Sequence, residues 1–167
     1  MRQAAVWLIA SLFLASCASM NAALLPSLPT ETILVDTAQG EHSFKVEVAA
    51  DHASQVRGLM YRQEMAPDAG MLFDLHRSEQ ISFWMKDTYL PLDMVFIRAD
   101  GTVSSVEPNA IPLSTASIPS QGPVRAVLEL NAGRARELGI LPGARVHAAI
   151  FDSRTAAIPG PSQTAAP

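Results

Sequence analysis

The chain has 167 residues, 49% of them hydrophobic and 17% charged, which suits one domain of ordinary size and excludes a disordered polyelectrolyte. Twelve basic against sixteen acidic residues leave a net charge of −4, and the basic residues are scattered singly, which argues against nucleic acid as a partner. A single cysteine excludes both a disulfide framework and a thiolate metal knuckle.

Residues 1–16 read as an export signal, with Arg2 as the positive end and Ala4 to Ala15 as an uncharged apolar run. The run is shorter than the roughly 20 apolar residues a membrane-spanning helix needs. It ends in Leu14-Ala15-Ser16-Cys17, which resembles the bacterial lipobox. That resemblance implies cleavage before Cys17, lipidation of Cys17 and attachment to a membrane on the periplasmic side of the envelope, with Ala18 rather than Asp directing the protein to the outer membrane. The alternative is an ordinary secretory signal cut later, for instance after Asn21-Ala22-Ala23, which would leave a soluble periplasmic or secreted protein. Residues 17–31 then read as the lipidated cysteine and a proline-containing linker, 32–151 as the folded domain, and 152–167 as a disordered Ala/Pro tail.

Within the domain the apolar pattern is mostly of period two or in short unbroken runs, as strands require. Thr32–Thr37 and Ser43–Ala49 read as a hairpin turning at Ala38 to Glu41, with Phe44, Val46 and Val48 on one face. At Asp51, a suitable N-cap, the period changes, and the spacing predicts a helix running toward Met65 with Ala53, Val56, Met60 and Leu59 on its apolar stripe. Gly58 would lie in the middle of that helix and allow another backbone to approach closely.

Strands are predicted again over 70–75, 81–86, 92–98, 102–107 and 124–130, followed by a short helix over 133–138 and a last strand over 145–151. Asp100-Gly101 supplies the turn between 92–98 and 102–107. Pro108 to Pro123, with four prolines, reads as a long loop able to cover one mouth of the sheet. About eight strands with one or two short helices predict a mainly β, compact single-domain barrel or sandwich.

Arg57-Gly58-Leu59-Met60, Gly70-Met71-Leu72-Phe73, Phe83-Trp84-Met85-Lys86-Asp87-Thr88, Pro91-Leu92-Asp93-Met94, Val127-Leu128-Glu129-Leu130 and Gly139-Ile140-Leu141-Pro142-Gly143 follow in order along residues 32–151. In these motifs the chain resembles the DUF192 family, which implies a small, often exported, β-rich fold and no established activity. One residue departs from the family pattern: Asp87 stands where Asn is usual, and an ionised carboxylate cannot donate the hydrogen bonds of an amide.

The candidate ligand-binding residues are Arg57, Trp84, Lys86, Asp87, Thr88, Asp93 and Glu129. Lys86, Asp93 and Glu129 sit in or beside apolar strands, and a charge buried alone costs several kcal/mol, so Arg57, Lys86, Asp93 and Glu129 are expected either at a strand end in water or paired with one another. In one reading they line a concave site floored by Trp84 for an anionic or carbohydrate-like ligand, with Asp87 and Thr88 at the rim. In a second, Asp93 and Glu129 act as the carboxylate pair of a hydrolase or transferase working on an envelope glycan. In a third, the charged cluster is purely structural and the function runs through a protein partner. No catalytic residue is assigned. No cofactor and no metal is expected: the four histidines have no ligand spacing, and Met60, Met65, Met71, Met85 and Met94 read as core filling rather than a Cu(I) site.

Overall fold

The computed structural model describes residues 27–152. The signal, Cys17 and nearly all of the C-terminal tail lie outside the described residues. The elements are β1 (Thr30–Thr37), β2 (Gly40–Ala49), α1 (His52–Arg57), β3 (Ala69–Glu79), β4 (Ser82–Phe83), β5 (Leu92–Ile97), β6 (Val103–Ala110), β7 (Ile118–Pro119), β8 (Val124–Asn131), α2 (Arg134–Glu137) and β9 (Arg145–His147), ending in a 3-10 turn at Ala149–Phe151. Seven strands form one sheet in the order β6-β5-β8-β3-β2-β1-β9. The sheet curls into a half-barrel, and its two edges meet where Thr102 bridges Arg145 and Val103 and Ala144 share a backbone hydrogen bond. The mainly β single domain expected from the sequence is therefore present.

Every neighbouring pair is antiparallel except β2 and β3, where α1 lies in the crossover from Ala49 to Ala69. The concave face carries one core cluster, with Ile33, Val35, Phe44, Val46, Leu72, Val95, Leu128 and Leu130. The convex face of β3, β5 and β8 carries a second, with Met71, Phe73, Met94, Phe96 and Val127 covered by Leu59, Met85 and Leu90. Successive side chains of a strand point to opposite faces, so these three strands, buried on both, are the near-continuous apolar runs of the sequence. Met71, Met85 and Met94 are all fully buried there as core filling.

Several boundaries differ from the expectation. The first hairpin turns on Ala38 and Gln39 alone, Thr37 already pairing with Gly40. Asp51 does cap α1, its Oδ1 accepting from Ser54 N at 3.0 Å. The helix stops at Arg57, however, and its buried residue is Ser54, while Ala53 and Val56 are exposed. Gly58 ends the helix rather than lying within it: its φ is +49°, and a Cβ there would stand 3.2 Å from the Phe73 ring. A left-handed residue against a core phenylalanine overrides the continuing apolar pattern of Leu59 and Met60.

The strand expected over 81–86 pairs only at Ser82–Phe83, against Ile118–Pro119. The proline-containing segment is thus no free loop. It lengthens β6 to Ala110, supplies β7, and braces the turns beyond β4 through Met85 N to Ser114 O at 2.9 Å and Leu113 N to Thr88 O at 3.1 Å.

Candidate functional site

Above the convex face of β3 and β8, the end of α1 and the turns after β4 enclose an open cleft of about 270 Å³. Its lining includes Arg57, Gly58, Leu59, Phe73, Phe83, Trp84, Thr88 and Glu129. Four of the seven candidate residues, Arg57, Trp84, Thr88 and Glu129, are therefore brought together from α1, the turns and β8.

Glu129 forms the polar part of the floor. In the sheet it is paired with Met71 of β3 and Met94 of β5, so its side chain rises from the convex face among apolar neighbours. It is 4% exposed and has no hydrogen-bond or ion-pair partner among the described residues. Burial in this apolar setting disfavours the charged form and pushes its pKa up to about 8. Phe73, Phe83 and Leu59 form the walls, with Phe73 and Phe83 edge to face at 4.9 Å between centroids.

The rim holds the cations and the indole. Trp84 is 49% exposed, and the Lys86 ammonium stands 5.5 Å from its ring centroid, within cation–π range. The alternation expected over 81–86 persists in burial, with Ser82, Trp84 and Lys86 outward and Met85 inward, although the strand pairing ends early. Arg57 is exposed on the wall, without a salt bridge among the described residues. Thr88 is buried, its hydroxyl donating to the Lys86 carbonyl at 3.1 Å.

Asp87 lies beside the cleft and does not line it. Its φ is +54°, a left-handed conformation that Asn and Asp tolerate better than other side chains, which accounts physically for either residue at this position. Its carboxylate accepts from the Tyr61 hydroxyl at 3.2 Å, and its carbonyl accepts from Tyr61 N at 2.8 Å. That hydrogen bond, with the charge of Asp87, holds the Tyr61 hydroxyl above its ordinary pKa. No amide donor is needed at this contact, because the tyrosine donates.

Asp93 belongs to the other face. It is paired with Leu130, next to Glu129 in β8, so its side chain enters the concave core and the two carboxyl groups are separated by the sheet. It is 0% exposed, yet it accepts 2.9 Å hydrogen bonds from Asn109 N and Ala135 N. The first donor is freed by the bulge where β6 shifts register against β5. The second belongs to α2, whose N-cap Gly133 has no side chain to offer.

Two expectations are thereby corrected. Among the described residues Arg57, Lys86, Asp93 and Glu129 form no ion-pair network: Arg57 and Lys86 stand exposed to water, backbone amides satisfy Asp93, and burial pushes the Glu129 pKa up rather than drawing in a cation. Nor do Asp93 and Glu129 make the carboxylate pair of a glycan-cleaving site, which needs both groups to flank a bond held in one cleft, whereas the sheet separates these two. Sequence reasoning also missed the buried pair of Asp74 with Arg125 and the bond from Gln55 Nε2 to the Asp74 carbonyl at 2.6 Å, which ties α1 to β3. Arg57-Gly58-Leu59-Met60 was the signal available for the apolar wall, since Leu59 and Gly58 sit against Phe73.

Comparison with known proteins matches the chain to a model of the DUF192 family, described as uncharacterized ACR, over residues 34–148. Among solved structures it is similar to that of a proposed transcription regulator from Sinorhizobium meliloti 1021, with 48% identity, a TM-score of 0.73, and coverage of 75% of this chain and 98% of that one. It is also similar to a protein of unknown function from Novosphingobium aromaticivorans DSM 12444, with 38% identity, a TM-score of 0.71, and coverage of 72% of this chain and 86% of that one. None of the curated proteins matches.

Proposed function

The chain belongs to the DUF192 family, and from that premise we propose that it is an envelope-tethered lipoprotein whose domain binds a small polar ligand in the cleft over β3 and β8 without turning it over. The observation that carries this reading is the convergence of Arg57, Trp84, Thr88 and Glu129 on one cleft from separate elements. Scattered charged residues have no architectural need to meet at a solvent-open concavity, whereas a ligand site needs a few polar groups on an apolar lining.

The cleft suits a carbohydrate-like or anionic ligand. The half-exposed Trp84 ring offers a flat face, and Arg57, without a salt bridge among the described residues, and nearby Lys86 receive negative charge or electron-rich oxygens at the mouth. A nucleic-acid role, which the description of the Sinorhizobium relative suggests for that protein, fits poorly with sixteen acidic against twelve basic residues. The orientation of Asp93 supports binding without turnover, since a two-carboxylate reaction at Glu129 lacks its second group. The tether rests on Leu14-Ala15-Ser16-Cys17, with the lipid on Cys17 holding the domain at the periplasmic face of a membrane, in this reading the outer one.

Native mass spectrometry of the chain isolated gently from its source tests the ligand. The expected result is a reproducible added mass on the wild type that is absent from a folded Arg57→Ala, Lys86→Ala double variant. A bare wild-type mass, or an adduct that survives in the variant, removes the reading. A second mass shift, of the lipid on Cys17, tests the tether in the same spectrum.

A further inference from the structure

Among the described residues seven large hydrophobic side chains stand exposed, and six of them, all but Leu141, come from three segments that meet. These are 56–61 at the end of α1, 84–89 after β4 and 111–114 after β6. Tyr61 N donates to the Asp87 carbonyl at 2.8 Å, Leu113 N to the Thr88 carbonyl at 3.1 Å and Met85 N to the Ser114 carbonyl at 2.9 Å, so the three are stitched together. Val56 and Trp84 border the cleft from two sides, and the Tyr61 and Tyr89 rings meet edge to face with centroids 6.4 Å apart. Ile111 is 71% exposed and Leu113 55%. Tyr61 and Leu113 are also held at φ of +64° and +62°, a costly conformation for bulky side chains that, being exposed, do not fill the core. Apolar surface gathered in this way marks a contact face, whereas single exposed hydrophobic residues need no explanation.

The composition of the face suits a bilayer surface. Trp and Tyr rings settle at headgroup level, and Arg and Lys lay their stems along apolar surface while their charged ends reach phosphate. Within the three segments the charged residues are Arg57, Lys86 and Asp87, and the one acid is bonded to the Tyr61 hydroxyl. The face therefore carries an excess of cation on a chain whose net charge is −4.

The path of the chain points the same way. Leu28 packs against the convex core cluster, and residues 27 and 28 border a groove together with Arg57, Gly58 and Arg62. Toward its N-terminus the chain thus leaves the domain beside the end of α1, next to Tyr61. From Ser27 back to Cys17 the backbone reaches at most about 35 Å when fully extended, so an anchor on Cys17 holds this face close to the membrane.

We infer that this face is a membrane-docking surface: Trp84, Tyr61, Tyr89, Ile111 and Leu113 enter the interfacial layer of a phospholipid bilayer, and Arg57 and Lys86 meet its phosphates. The inference rests on the tether read at Cys17 and is independent of which ligand the cleft takes. The cleft mouth at Trp84 then opens onto the headgroup layer.

Trp7 and Trp84 are the two tryptophans of the chain and Cys17 its one cysteine, which makes a site-specific test available. The full chain carrying Trp7→Phe is coupled through Cys17 to a maleimide-bearing lipid in vesicles of phosphatidylethanolamine and phosphatidylglycerol, with or without bromine on the acyl chains. Bromine quenches tryptophan only at close range, so brominated chains should remove about half of the Trp84 emission when the ring lies in the interface. Ile111→Ser combined with Leu113→Asn should restore the emission, asparagine being chosen because it accepts left-handed backbone. Leu141→Ser, at the exposed hydrophobic residue outside the three segments, should leave the quenching as in the wild type.

Equal emission with and without bromine overturns the inference and leaves the face to a protein partner. Quenching that survives the double substitution overturns it too, as does relief of equal size in Leu141→Ser. A dimer of the chain in vesicle-free solution that the double substitution dissociates overturns it in favour of a second copy. Because the coupling supplies the tether chemically, a missing lipid mass on Cys17 counts against the tether alone, whereas an unquenched Trp84 counts against docking alone.

Discussion

Asp93 and Glu129 occupy neighbouring positions in β5 and β8, both essentially shut off from solvent, and they differ in what surrounds the carboxyl group. Asp93 enters the concave core and finds two backbone N–H groups that the fold itself left without partners, at the β6 bulge and at the start of α2. Glu129 rises from the convex face and finds methionine and phenylalanine. The first carboxylate completes the architecture, because removing it would strand a buried donor at Ala135 and a part-buried one at Asn109. The second satisfies no backbone group, and the fold places it where a cavity opens. Burial alone therefore does not mark an acid as structural; the count of partners does.

Three experiments bear on that contrast. The largest effect is expected at Asp93: Asp93→Ala should destabilise the domain by about 3 kcal/mol, by leaving the buried Ala135 N–H unpaired and removing the part-buried bond from Asn109 N, and chemical denaturation reads this directly. A loss under about 1 kcal/mol would mean that Asp93 is not the strut described here.

At Glu129 the sign is reversed and depends on pH. Its folded pKa of about 8 stands above the ordinary 4.5, so the folded state holds a proton that the unfolded chain releases between those values. Stability from this group is full below about pH 4.5, declines as pH rises, and is lost once pH passes about 8, a total of several kcal/mol. Glu129→Gln should match the wild type at pH 4 and exceed it at pH 9 in thermal unfolding. Parallel pH profiles of the two proteins would contradict an unpartnered buried acid.

The smallest effect belongs at the rim. Asp87→Asn restores the residue usual in the family, tolerates the same left-handed backbone, and should change stability by less than about 0.5 kcal/mol. It removes the charge that raises the Tyr61 pKa, so the tyrosine absorbance titration should move down toward its ordinary range. An unmoved titration would show that the Asp87 carboxylate is not the acceptor for the Tyr61 hydroxyl.

Much of this was legible in the sequence, because it depends on local physics. Period-two alternation in Ser43–Ala49 separates Phe44 and Val46 from Lys45 and Glu47, the side chain of Asp51 caps a helix, and the Leu92–Ile97 run, apolar but for Asp93, announces a strand. The order of motifs also disclosed the family, whose model matches residues 34–148.

What the sequence could not hold is the register between strands far apart along it. Parity within β5 and within β8 is readable, but whether Asp93 and Glu129 share a face depends on which residue of one strand meets which of the other. A slip of one residue would reverse the answer, since side chains alternate with a period of two. The end of α1 is a second case: only the Phe73 ring, sixteen positions away in β3, explains why the helix stops at Arg57 while its apolar pattern continues. Composition, periodicity and capping determined most of the long strands and the start of α1 by themselves, because those preferences act within a few residues. Partnering of buried polar groups was decided by tertiary structure alone, because the donors for Asp93, and the lack of any for Glu129, come from segments that meet only when the chain has folded.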